Sequence, residues 1–199
     1  MSIEPRRPGR HFLQIPGPTP VPERILSAMS RQMLDHRGLE FQKLGKRVLH
    51  GVKGLFKTAH HVIIYPSSGT GAWEAALTNT LSPGDKVLMC ETGQFAVLWN
   101  GMAQKLGLVT DVIPTDWRVA ADGNTFEAKL RADKAHEIKA VCVVHNETST
   151  GCCSRIDEIR KALDAANHPA LLMVDTISSL ACTDLRHDEW GIDVTVSGS

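Results

Sequence analysis

At 199 residues the chain is long enough for one sizeable domain, or for a domain with an appended arm. Its 22 Lys plus Arg against 22 Asp plus Glu, without a long run of either sign, exclude the electrostatic footprint of nucleic-acid or anionic-membrane binding. With 42% hydrophobic and 22% charged residues it is not a disordered chain, so small molecules or proteins are the expected partners.

Residues 1–21 are rich in Pro and Gly and close with Ile15-Pro16-Gly17-Pro18-Thr19-Pro20. Proline lacks the N–H that a helix interior or central strand uses, so this stretch is an N-terminal arm. The basic start MSIEPRRPGRHF has no apolar segment behind it, and no later stretch approaches the roughly 18 apolar residues of a membrane span. Neither a secretory signal nor an anchor is expected.

From Pro22, a favoured first helical residue, Ile25, Leu26, Met29 and Met33 recur at helical spacing. A second stripe runs from Leu39 through Phe41, Leu44, Val48, Val52 and Leu55. Short apolar runs then alternate with helical patterns. Strands are predicted at 62–65, 87–90, 109–114, 140–144, 171–174 and 192–196, and helices at 72–81, 95–106, 125–133 and 155–166. Six strands alternating with helices read as an α/β fold with a mainly parallel sheet and flanking helices. Ligands of such sheets sit beyond the carboxyl ends of the strands, so the residues directly after each apolar run carry the candidate chemistry.

After residues 62–65 comes Ser67-Ser68-Gly69-Thr70-Gly71 and then a helix, offering free N–H groups, hydroxyls and a positive dipole end to an anion. A plain helix cap and tight turn is the competing account of the same residues. Asp175 ends an otherwise apolar strand, where an unpaired carboxylate would be costly. It calls for a ligand cation, a metal or a remote arginine, or else it caps a turn. His145-Asn146-Glu147-Thr148-Ser149-Thr150-Gly151 is dense in hydrogen-bonding side chains, and Gly93-Gln94-Phe95 places an aromatic where a helix opens. Anion cradle, carboxylate and aromatic face together describe pyridoxal 5'-phosphate. An acid beside its pyridinium is worth about 4 kcal/mol at about 4 Å and an effective dielectric of about 20, enough to keep the ring nitrogen protonated.

Five longer segments carry a family resemblance: PSSGTGAWEAALTNTLSPGD (66–85), GQFAVLW (93–99), AHEIKAVCVVHNETSTG (135–151), HPALLMVDTISS (168–179) and DEWGIDVTVSGS (188–199). In this order they closely resemble the serine–glyoxylate aminotransferases, within the class V aminotransferases of pyridoxal-phosphate fold type I, with the alanine–glyoxylate enzymes as neighbours. The resemblance implies that Ser68, Gly69 and Thr70 form the phosphate-binding turn and that Phe95 stacks on the cofactor ring. Thr148 then stands near the cofactor's 3'-oxygen, Asp175 pairs with the pyridinium nitrogen, and Ile177 packs on the opposite ring face. Gly17 resembles a segment lining the substrate pocket. His36 and Arg37 belong either to the pocket mouth or to a dimer contact.

The resemblance also implies what these 199 residues do not hold. No catalytic residue lies in the chain, because the family's Schiff-base lysine is expected two positions after Ser199. The implied organisation is an arm at 1–21 and a cofactor-binding large domain at 22–199, truncated before that lysine. A C-terminal small domain, and the strand that returns between the first and sixth strands, are missing. The implied activity of a full-length parent is transamination of serine or alanine with glyoxylate, in a homodimer, with the fragment alone inactive. A cysteine desulfurase-like lyase and a non-catalytic remnant are the alternatives; Phe95, where the desulfurases carry a His, weighs against the first. The odd cysteine count, without CxxC spacing, suits a reducing cytosol, and the resemblance implies a cytoplasmic enzyme, or a peroxisomal one in a plant or animal. Cys152 and Cys153 are expected to be packing residues, and no metal is expected.

Overall fold

The computed structural model describes Gly9 and residues 12–198. The chain divides into two compact units, Met1–Leu44 and Gly45–Ser199. In the first, Pro22 precedes helix α1 (Glu23–Met29), whose apolar residues Ile25, Leu26 and Met29 are exposed. Helix α2 (Leu39–Phe56) follows, and the stripe predicted along it contains no buried residue.

The second unit holds the sheet. Helix α3 (Gly69–Thr80) is followed by β1 (Lys86–Glu91), α4 (Gln94–Lys105), β2 (Val109–Pro114), α5 (Gly123–Ala132), β3 (Ile138–Val144), α6 (Ile156–Ala165), β4 (Leu171–Asp175) and β5 (Val194–Val196). All neighbours are parallel, in the order β2-β1-β3-β4-β5. The period-2 alternation of side chains divides the strands between two cores. Leu88, Val141, Val143, Leu172 and Val174 join Phe126, Leu130, Ile159 and Leu163 of α5 and α6. Val87, Met89, Ala140, Cys142 and Met173 meet Trp73 and Leu77 of α3 and Trp99 of α4 on the other face.

Five of the six predicted strands form. Residues 62–65 do not: they are irregular, and Ile63, Ile64 and Tyr65 are exposed. A strand needs a neighbour to take up its N–H and C=O groups, and among the described residues the sheet ends at β5, which pairs with β4 alone. The apolar run had the composition of a strand and lacked the partner. Cys90 and Cys142 are buried as small core residues, whereas Cys152 is half-buried and Cys153 exposed, so the expectation of packing fails for Cys153. Among the described residues no helix is long and apolar enough to cross a membrane, and no cluster of His, Cys, Asp and Glu could hold a metal.

Candidate cofactor site

The strand order reverses between β1 and β3, because the chain leaves β1 toward β2 and returns on the opposite side of β1. Ligands of open α/β sheets bind beside such a switch point, and here the loops following β1 and β3 are joined to each other, Gln94 N–H donating to Ser149 Oγ and Phe95 and Ala96 N–H to the Glu147 carboxylate. Gly93 and Phe95 follow β1, and Glu147 and Thr148 follow β3. Two strands along, Asp175 ends β4 in register with Val144 on one side and Val196 on the other.

Asp175 shares the face of Met173, the face covered by α3, so its carboxylate enters that core and is only 3% exposed. Trp73 Nε1–H donates to its Oδ2 (3.0 Å) and the Ile177 N–H to its Oδ1 (2.8 Å). Burial pushes the carboxyl up to about 6. The two hydrogen bonds pull it down, and the negative charge of Glu147 adds to the rise. No Lys or Arg pairs with Asp175 among the described residues. Of the alternatives open from the sequence, no arginine pairs with Asp175 among the described residues, and the carboxylate does cap the turn that follows it, through Ile177 N–H on Oδ1.

The turn at 67–71 enters α3 with Ser68 as an extended N-cap residue whose side chain makes no cap hydrogen bond. Ser67, Ser68 and Thr70 are exposed and Gly69 half-buried. The Ser68 carbonyl accepts from the N–H groups of Gly71 (3.0 Å) and Ala72 (3.3 Å). A Cβ at Gly69 would collide with Ile177 Cδ1, and one at Gly198 would stand 3.3 Å from the Gly69 backbone nitrogen. Turn, β4 end and last described residue thus converge. Gly69→Ala is expected to drive Ile177 off its rotamer and to lower stability by about 1–3 kcal/mol. A denaturant midpoint equal to the wild type's would show that the approach is not tight.

Phe95 is half-buried, its ring edge-on to Trp73 at 6.5 Å, and Trp73 stacks on Trp99 at 5.8 Å with 12° between planes. Thr148 is half-buried in the turn after β3. Gly17 is exposed in the first unit, within the bends at 15–18. In that unit Arg37 donates its N–H to Asp35 Oδ1 (2.9 Å) and its carbonyl accepts from Gln42, while His36 is exposed.

Two residues of this cluster escaped the sequence analysis. Trp73 stands four positions after Gly69 on the same face of α3, so helical spacing alone aligns it with the turn. Glu147 was seen only as part of a polar stretch. It is fully buried and accepts from Phe95 N–H (3.2 Å), Ala96 N–H (3.1 Å), Ser149 N–H (3.1 Å) and Ser149 Oγ (2.7 Å). His145, buried at the same strand end, binds Ser179 Oγ through Nδ1 (3.0 Å), and burial lowers its pKa. Thr92 Oγ1, after β1, is buried without a hydrogen-bond partner among the described residues.

The profile of the family described as "Aminotransferase class-V" matches residues 11–199. A serine–glyoxylate aminotransferase of Methylorubrum extorquens is 50% identical over 195 residues, covering 98% of this chain and 48% of that protein. An L-aspartate–glyoxylate aminotransferase of Paracoccus denitrificans is 48% identical over 93% of this chain and 47% of its own length. Among solved structures, a subgroup IV aspartate aminotransferase from Thermus thermophilus is similar with a TM-score of 0.87 at 26% identity, over 95% of this chain and 52% of its own. The chain spans about half the length of the curated relatives it matches.

Proposed function

Because the chain belongs to the class-V aminotransferase family, we propose that the full-length protein uses pyridoxal 5'-phosphate to move an amino group from serine to glyoxylate, giving hydroxypyruvate and glycine. The observation that carries the proposal is Asp175, a buried carboxylate at a strand end that lacks a cation among the described residues. The fit extends to the turn before α3, where the exposed Ser68 hydroxyl makes no cap hydrogen bond and Thr70 is exposed beside it at the helix start. Both relatives above carry glyoxylate in their names and differ in the donor, serine in one and L-aspartate in the other.

In this proposal Ser68, Gly69 and Thr70 hold the phosphate through the N–H groups and hydroxyls at the start of α3. Asp175 would accept the ring N–H and favour its protonated form, Phe95 and Ile177 would pack against the ring, and Thr148 would serve its 3'-oxygen. When bound, the cofactor supplies the electron sink that makes the α-proton of the amino acid removable. Proton transfer at the substrate's α-carbon falls to the lysine expected two positions after Ser199, and no residue within the chain takes that role. An arm at 1–21, a cofactor-binding domain over 22–199, a homodimer and a cytoplasmic location complete the proposal.

The test is a half-reaction. Full-length protein loaded with pyridoxal phosphate should release about one equivalent of hydroxypyruvate per subunit from L-serine before any glyoxylate is added. Pyruvate from L-alanine or oxaloacetate from L-aspartate in its place would reassign the donor. Sulfide from L-cysteine, with no keto acid from any of the three, would overturn transamination.

A further inference from the structure

We infer that Trp73 is a positioning residue of the cofactor site: its indole fixes the rotation of the Asp175 carboxylate and the tilt of the Phe95 ring at once. The inference rests on the cofactor assignment proposed above. Trp73 lies one turn into α3, beneath the Gly69 turn, and is 3% exposed. A carboxylate turns freely about its last bond, with a broad two-fold preference. Here each oxygen holds one N–H donor, Ile177 N–H on Oδ1 and Trp73 Nε1–H on Oδ2. The first comes from two residues along the chain, a bond that any Asp beginning a turn can make. The second is tertiary and depends on residue type, since Leu or Phe at position 73 would pack without donating.

The same indole is held in place from its other side. It stacks almost parallel on Trp99, which is fully buried, and meets the edge of Phe95. Carboxylate, indole and phenyl ring are thus in contact in sequence, so a rotation of Trp73 would move the partner of the ring nitrogen and the partner of the ring face together. Each carboxylate oxygen retains a lone-pair site for a further donor. The charged and titratable neighbours are Glu147, committed to the start of α4, and His145, held to Ser179 rather than to the carboxylate.

The experiment compares wild-type and Trp73→Phe full-length protein, stripped of cofactor, by titration with pyridoxal phosphate alone across pH. Phenylalanine keeps an aromatic ring against Trp99 and removes the donor. The expected result is about a ten-fold rise in Kd, from loss of one hydrogen bond to a charged group. The acid-side fall in affinity should also begin at higher pH, because the carboxylate has lost a donor that favours its ionised form. Both effects should vanish in an Asp175→Asn background, where no carboxylate remains to be positioned. Equal Kd values and pH profiles overturn the inference and leave the cofactor assignment standing. Absence of binding by the wild type overturns both. Should Trp73→Phe not fold, the ¹⁵N-labelled indole of Trp73 in the wild type gives the same answer. Its N–H resonance should follow the ionisation of Asp175 and move on cofactor addition, and an unmoved resonance overturns the inference.

Discussion

Replacing Asp175 by asparagine is expected to weaken pyridoxal phosphate binding to the full-length protein by about 10²- to 10³-fold, while abolishing a pH dependence of stability in the cofactor-free protein. The first effect follows from Coulomb's law: an acid about 4 Å from a ring cation at an effective dielectric of about 20 is worth about 4 kcal/mol, and the amide retains only part of it. The second has the opposite sense. Burial raises the Asp175 carboxyl from 3.8 to about 6, so the folded state binds its proton more tightly than the unfolded chain does. Stability from this group is therefore fully present below about pH 4 and falls as pH climbs to about 6, by about 3 kcal/mol in all. The asparagine variant escapes that loss. It also carries a pH-independent cost, because its NH2 must face one of the two N–H donors at Trp73 and Ile177, so the slope and not the level is the readout. Thermal melts of the two cofactor-free proteins between pH 4 and 7.5 decide the matter, and a variant-minus-wild-type difference that is flat with pH would sink it.

Those opposed effects show why Asp175 was visible in the sequence while its surroundings were not. A carboxylate closing the run Leu171–Asp175 breaks a local rule, that buried strand positions are apolar, and such a break points to a site before any contact is known. The same holds for the small residues at 69–71, whose meaning is a close backbone approach. Trp73 breaks no rule. A tryptophan on the apolar face of a helix is ordinary core, and only its indole N–H against Asp175, 102 residues away, distinguishes it. Glu147 was hidden for a different reason, since three of its four donors are backbone N–H groups that no side-chain pattern records.

The fold was legible where periodicity and pairing agreed. For β1 to β4 the apolar runs coincide with strands because each has neighbours on the sheet, and α3 to α6 start and end within three residues of their predicted bounds, whereas the first helical stripe, read through Met33, stops at Met29. Residues 62–65 had the composition without the neighbour. Strand formation is a property of a pair, and a one-dimensional pattern reports one member. The reversal of strand order between β1 and β3, and the bond from Phe95 N–H to Glu147 that joins the loops after them, are likewise tertiary information.

Glu147→Ala should be the most destabilising single substitution at this site, by about 3–5 kcal/mol, because it leaves buried donors without acceptors. Helix α4 opens on Gly93, which has no side chain with which to cap it. A Cβ there would collide with Glu147 Cγ and stand 2.7 Å from both Glu147 Cδ and Ser149 Oγ, so the space a local cap would use is filled from the β3 loop. That loop supplies the whole cap. Gln94 N–H goes to Ser149 Oγ (3.0 Å), Phe95 N–H to one oxygen of Glu147, and Ala96 N–H to the other. The negative charge at the positive end of the helix adds its own share. Glu147→Gln keeps one carbonyl oxygen but turns an NH2 toward a backbone donor, so it should fall between alanine and wild type. Urea unfolding of the three cofactor-free proteins measures the series, and an alanine variant within about 1 kcal/mol of wild type would show that water replaces the carboxylate at no cost. Because Phe95 N–H is one of the donors released, the ring offered to the cofactor moves with the helix start. Loss of Glu147 therefore acts first on folding and only through Phe95 on binding, the reverse of the order expected for Asp175.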